Sequence, residues 1–308
     1  DVLVESFTPG FLDSVGLSYD DVRAVNPSII YLSCSMEGAG GPHALFRGFG
    51  LVLQATVGFT HFTSWPDRAP VGTGVAYTDW VATHLAATAL LSAIEHRRMT
   101  GEGQRIDLSQ LEGCIWALDA EVLRQTVNGE QRPALGNRHP EMAPHGVFPT
   151  AGEDEWIAIA VRDDTDWARL AALIGDPSFA DPALATLEGR RAAEDALEAA
   201  ISAWTVTQEK YALAGKLQGA GVPAYPVASM ADVEHDAQLR ARGHYWPTRH
   251  AVIGDADWNG PAYHLSGTPL YPERPSPTLG QDNERVYRDL LGYTETELGD
   301  LLAEGVLE

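Results

Sequence analysis

Over the first sixty positions, short β-branched and aromatic runs alternate with polar, turn-rich stretches, the pattern of an α/β unit. Residues 1–7 (DVLVESF) predict a strand, and Pro9-Gly10 a turn. Short helices are expected over 11–15 and 19–24, the second capped by Ser18 with Asp20 and Asp21 in its first turn. Asn26-Pro27 stops it, because the residue before proline avoids the helical region. Residues 29–35 predict a second strand, 38–42 a glycine loop and 49–58 a helix. The clearest helix is 79–98: Val81, Leu85 and Ala89 share one face, and Leu90 and Ile94 extend it. Gly101 and Gly103 end it after a basic last turn. A strand at 104–108 and a helix at 111–125 follow.

Beyond this the periodicity lapses. Residues 136–150 (GNRHPEMAPHGVFPT) hold three prolines and read as a linker. A strand is expected at 156–161 and helices at 166–174, 190–205, 208–219 and 233–242. The tail after Trp246 reads as strand-rich and proline-broken, with short helices at 283–291 and 295–304. The expectation is an α/β large domain at 1–135, a linker at 136–153, a smaller α+β domain at 154–245 and a return segment at 246–308 that goes back to the large domain. Opening on an apolar strand with nothing before it to cover the sheet edge suggests a piece of a larger sheet.

Composition narrows the function. Acidic residues outnumber basic ones 43 to 21, a net charge of −22, which argues against nucleic acid and against an anionic membrane surface. A local arginine cluster could still hold an anionic small ligand. Cys34 and Cys114 are too few and too far apart for a disulfide framework or a metal site, which fits a reducing, cytoplasmic setting. They read as small buried hydrophobes. The ten histidines, His139 and His145 among them, show no metal-ligand spacing, so no metal is expected.

Asp79 is the candidate for chemistry. It follows a glycine-rich turn (Gly72, Gly74) at a helix start, where an aspartate is either a cap or a carboxylate nucleophile. Periodicity does not choose between them. Gly38, Gly40 and Gly41 could offer backbone N–H groups to an oxyanion or a phosphate, or make a plain strand-to-helix turn. Arg47 could grip phosphate or simply be solvated.

Several segments, in order along nearly the whole chain, resemble the class III CoA-transferases, the CaiB/BaiF family. DVLVESFTPGFLDSVGLSYDDVRAVNPSIIYLSCS is similar to its VxNFRPG…LGL…NPxLIY unit, and FRGFGLVLQATVG to its RPGYDxxxQAxxG. AYTDWVATHLAATALLSAIEHRRMTGEGQRIDLSQLEG looks like its aspartate helix followed by TG-x-GQ-x-VD-x-S. AGVPAYPV and RPSPTLGQDNERVYRDLLGYTETEL resemble its small-domain and C-terminal motifs.

The resemblance implies an incomplete Rossmann-like large domain whose first strands are absent, and a full-length form that is an interlocked homodimer. It implies a transferase that passes coenzyme A from an acyl-CoA to a carboxylic acid. Coenzyme A is then substrate, and no covalent cofactor is needed. Asp79 stands at the family's catalytic aspartate. Phe7, Val15, Arg47 and Phe49 fall at its CoA-binding positions, while Ser6, Thr8 and Ser14 replace residues that are often Asn or basic. The loop Thr60–Pro70, with Trp65, is expected to line the acyl pocket. Two alternatives stay open: an α-methylacyl-CoA racemase-type isomerase, whose members carry His where this chain has Phe49, and a non-catalytic truncated subunit.

Overall fold

The computed structural model describes residues 1–271 and 274–307; Pro272, Glu273 and Glu308 lie outside the described residues. The fold is α/β. The chain divides into two compact units, Asp1–Pro226 and Val227–Glu308.

The first unit opens with three parallel strands: β1 (Val2–Glu5), β2 (Ile30–Ser35) and β3 (Gln104–Ser109), in that order across the sheet. Register pairs Val2 with Ile30 and Ile30 with Gln104. β2 is the middle strand, and Ile30, Tyr31 and Leu32 are buried, the run of large apolar residues that a doubly covered parallel strand needs. The β1–β2 crossover carries α1 (Phe11–Ser14) and α2 (Tyr19–Val25). Ser18 and Asp21 form a reciprocal capping box at α2, as expected of Ser18. The β2–β3 crossover carries α3 (Gly50–Val57), α4 (Phe59–Phe62) and the long α5 (Tyr77–Thr100). Gly101 ends α5 in the left-handed conformation. Gly103 lies so close to the Ile29 carbonyl that no side chain could stand there.

The helix expected at 111–125 is not continuous. It is α6 (Gln110–Ile115), a 3₁₀ turn (Trp116–Leu118), α7 (Asp119–Leu123) and a π-type turn (Arg124–Asn128). Leu53, Val57, Phe59 and Cys114 form a buried cluster beneath α6. Beyond it Trp116, Leu123 and Val127 are exposed, and a helix without a packed face has little to keep it regular.

A second, antiparallel sheet follows: β4 (His145–Pro149), β5 (Trp156–Ala160) and β6 (Ala224–Pro226). The stretch read as a linker therefore contains a strand. Gly146 and Phe148 alternate inward on β4, and its prolines fall at and beyond the ends of an edge strand, where no ladder donor is needed. Covering this sheet are α8 (Asp164–Ile174), α9 (Leu187–Ala192), α10 (Glu194–Thr205) and α11 (Lys210–Gly219). Phe148, Ile157, Trp167, Leu170, Ile201 and Leu217 are among the residues of its core.

The single helix expected at 190–205 is two, and Arg190 shows why. Its side chain is wholly buried. It donates to the carbonyls of Ala143 (2.7 Å), Leu184 and Ala185 (3.1 Å each) and to the Asp164 carboxylate (2.8 Å), and it lies over the Trp167 ring. Turning this guanidinium inward fixes α9, and the chain resets its face at Ala193 before α10.

The second unit begins with α12 (Met230–Glu234) and α13 (Ala237–Ala241), separated because Asp236 caps α13 by accepting the Leu239 N–H at 2.8 Å. The helix expected at 233–242 is thus also two. β7 (Tyr245–His250) and β8 (Gly254–Asn259) form a hairpin. The Tyr245 hydroxyl donates to the Val233 carbonyl at 2.6 Å, which ties α12 to the hairpin within the second unit. A π-type turn (Glu284–Leu290) stands where an α-helix was expected, and α14 (Glu295–Ala303) is capped by Thr294. No described helix is long and apolar enough to cross a membrane.

Removing the Arg190 guanidinium takes a donor from three carbonyls, those of Ala143 and Leu184 in buried bonds. Arg190→Met should lower the stability of this unit by about 3 kcal/mol, read by chemical denaturation. A loss under about 1 kcal/mol would show that the carbonyls find other partners.

Candidate active site around Asp79

Asp79 is the third residue of α5, not its cap. The N-cap position belongs to Ala76, which has no side chain to offer, and the helix starts two residues earlier than its apolar face predicts. The extra turn forms because the preceding loop is held from behind. Gln54 of α3, fully buried, accepts from the Thr73 N–H (3.3 Å) and hydroxyl (2.7 Å) and donates to the Val75 carbonyl. Ser64, also buried, accepts the Val71 N–H at 2.9 Å. With the capping role gone, the exposed Asp79 carboxylate has no hydrogen-bond partner among the described residues. A carboxylate unpaired at a helix N-terminus is available and its charge is favoured by the helix dipole.

Asp79 opens into a cavity of about 830 Å³. Its wall brings together β1 and the residues after it (Glu5, Phe7), the end of β2 (Cys34), the start of α3 (Phe49, Gly50), the inner face of α5 and Gln110. The crevice thus lies off the carboxyl ends of parallel strands, the usual place for a ligand in an α/β sheet. Gly50 matters here. A Cβ on it would stand 2.5 Å from the Ala76 Cβ and 3.7 Å from Asp79 Oδ2, so only glycine lets α3 come this close to the carboxylate.

The other expected residues divide. Phe7 and Phe49 share the wall with Asp79, and Phe49 is 85% exposed, a ring with nothing yet covering it. A neighbouring cavity of about 420 Å³ shares Glu5 and Phe7 with the first and is lined by Ser33, Ser35, Gly40, Arg105 and Asp107. Gly38 and Gly41 have the positive φ of a tight loop (88° and 93°). The Asp107 carboxylate holds that loop by accepting the Ala39 N–H at 3.1 and 3.3 Å. Arg47 and Val15 are exposed and line neither cavity. Trp65 stands apart as well: with Pro66 and Asp67 it borders a third cavity, beside Leu135 and Arg138, and its indole presses on Gly136.

Gly50, Gln110 and Cys34 are among the wall residues that sequence reasoning missed. Gly50 and Gln110 carry no periodic signal. Cys34, read as a buried hydrophobe, is only half-buried; with Leu32 it brings β2 to the cavity. Burial pushes its thiol pKa up, a hydrogen bond with Gln110 opposes that, and the Asp79 and Glu5 carboxylates push it further up. The thiol of Cys114, fully buried on the inner side of α6, is raised in pKa by burial and by Asp79 as well. Gln54 sits in the quoted FRGFGLVLQATVG segment, and a lone glutamine in an apolar helix was the signal available for it.

Comparison with known proteins settles the family. Residues 1–283 match the profile of CoA-transferase family III. The chain belongs to CoA-transferase family III. It is similar to the succinyl-CoA–D-citramalate CoA-transferase of Chloroflexus aurantiacus, 32% identical over 308 residues, all of this chain and 76% of that protein. It is similar also to the succinate–glutarate CoA-transferase of Agrobacterium fabrum, 32% identical over 295 residues, covering 94% of this chain and 72% of that one. Among solved structures it resembles a CaiB/BaiF family protein from Brucella suis, with a TM-score of 0.86, 30% identity, and coverage of 94% of this chain and 75% of that one. This family III protein is therefore a transferase acting on CoA thioesters.

The Cys34 thiol reports on Asp79. Replacing Asp79 with Asn removes a negative charge that raises the Cys34 pKa, so the pKa should fall and more thiolate should form at a given pH. Iodoacetamide labelling of Cys34 near pH 8 should be faster in D79N than in the wild type, with the pH–rate curve moved to lower pH. An unmoved curve would mean that the two groups do not face one cavity.

Proposed function

We propose that this protein is an acyl-CoA:carboxylate CoA-transferase that works through Asp79 as a covalent nucleophile. The observation that carries the reading is an exposed carboxylate, unused by its own helix, facing a cavity at the carboxyl ends of parallel strands.

A carboxylate oxygen of Asp79 attacks the thioester carbonyl, the C–S bond breaks, and CoA thiolate leaves a mixed anhydride. The thiolate attacks the aspartyl carbonyl of that anhydride, releasing the donor acid and forming an aspartyl-CoA thioester. The acceptor carboxylate attacks this thioester, expelling the thiolate and forming a second anhydride. The thiolate then attacks the acceptor's carbonyl, forming the new acyl-CoA and freeing Asp79. Thioester and anhydride exchange at each step, so the barrier is met by positioning and by donors to each oxyanion. The loop Gly38, Gly40 and Gly41, which Asp107 steadies, offers backbone donors beside the neighbouring cavity, and we assign CoA contacts to Phe7 and Phe49. Arg47 and Val15 would meet CoA only from outside the two cavities described here.

Succinyl-CoA is the donor to try first, with short dicarboxylic acids as acceptors, because relatives named for succinyl or succinate, citramalate and glutarate are similar over 94–100% of the chain. The isomerase reading has less support. Phe49 lines the cavity at the position where a proton carrier would be needed, and phenylalanine moves no proton. We also propose an interlocked homodimer for the full-length protein, acting in the cytoplasm; the exposed Trp80, Leu91 and Trp116 are apolar surface that such an assembly would cover.

The test is Asp79→Asn and Asp79→Ala, assayed for transfer from succinyl-, acetyl- and formyl-CoA to a panel of short mono- and dicarboxylic acids. Both variants should lose transfer by about four orders of magnitude or more, as removal of a covalent nucleophile does. Mass spectrometry of wild-type protein mixed with donor should find CoA on the peptide that contains Asp79. Transfer that survives in both variants would overturn the mechanism.

A further inference from the structure

We infer that Gln54 is a positioning residue for Asp79; the inference rests on Asp79 being the nucleophile. Gln54 lies on α3 between Leu53 and Val57 of the buried cluster, a place that suits leucine. A buried amide costs about 1–3 kcal/mol unless its polar atoms are satisfied. Here both ends are used, and both are spent on one loop. The oxygen takes the N–H and hydroxyl of Thr73, and the nitrogen donates to the Val75 carbonyl. That carbonyl also accepts from the Thr73 hydroxyl (3.1 Å) and the Tyr77 N–H (2.8 Å). Ala76, next in the chain, accepts the Asp79 N–H at 3.1 Å.

The backbone from Thr73 to Asp79 is therefore one connected set of bonds anchored on the Gln54 amide. One turn earlier on the same face of α3, Gly50 presses on Ala76. Helix α3 grips the start of α5 at two points, and no capping side chain does that work in its place. Gln54 does not reach the cavity, so it acts through Asp79 and not on substrate. The residue type is specific. Leucine would hold neither Thr73 nor Val75. An ionised glutamate could accept from Thr73 but would set a negative charge against the Val75 carbonyl, whereas a protonated one could donate to it.

The experiment compares wild type, Gln54→Leu, Gln54→Glu and Thr73→Val, using the donor and acceptor that turn over fastest in the panel above, with Asp79→Asn as reference. Q54L should lower kcat by about tenfold or more, because small misplacement of a reacting group costs rate, while KM for the acyl-CoA stays within about threefold. T73V, with Tm near wild type, should lower kcat by a smaller factor in the same way; it decides the matter if Q54L does not fold. In Q54E the ratio of kcat to wild type should rise as pH falls and the carboxyl gains its proton. Wild-type kcat per folded molecule in Q54L, or in T73V should Q54L not fold, would overturn the role of Gln54 alone. So would a Q54E ratio that does not change with pH. Transfer surviving in D79N would overturn the Asp79 reading, and the role of Gln54 with it.

Discussion

Strand β2 must be paired on both edges, and the site's geometry follows from that requirement. Ile30–Ser35 has β1 on one side and β3 on the other, with Ile30, Tyr31 and Leu32 sealed between layers. Its backbone donors and acceptors are satisfied here by two parallel neighbours, and a parallel sheet demands long crossovers. The second crossover is α3, α4 and α5. Because it must return to β3 beside β2, the start of α5 arrives over the carboxyl ends of β1 and β2. Asp79, Phe7 and Cys34, far apart in the chain, then share one wall.

Within that crossover, polar burial does what capping does elsewhere. The loop before α5 carries glycine at 72 and 74 and no N-cap side chain, so by itself it would fray. Gln54 and Ser64 hold it from the protein side. The result leaves the Asp79 carboxylate out of the local hydrogen-bond account. A stabilising cap at this position would have satisfied the helix and occupied the aspartate; shifting the helix start to Tyr77 separates the two needs.

The two halves of the first unit differ in how they are finished. Residues 145–226 surround a continuous core of large apolar side chains, closed by the buried Arg190. Residues 1–128 have a smaller cluster and leave Phe49, Trp80, Leu91 and Trp116 exposed, all of them around the helices that build the site. Apolar surface gathered beside a ligand cavity is surface available to ligand or protein.

Much of this was legible in the residues. The run Ile29–Leu32, the Ser18 cap and the four-residue spacing along α5 each rest on local rules of burial, capping and period, and each element is there. The order of motifs pointed to the family. Local rules failed where a distant partner sets the outcome. Arg190, bonded to Ala143 and Asp164, breaks a helix that its own period would continue; β4 hides among prolines because its pairing with β5 is not encoded nearby. The same holds at the centre of the site. The sequence alone determined that an aspartate stands near the start of a long helix after a flexible turn, since charge and period are properties of neighbours. Whether it caps or stays free, and what faces it, was decided by Gln54 and Gly50 on another helix, because contacts across about twenty-five residues exist only once the chain has folded.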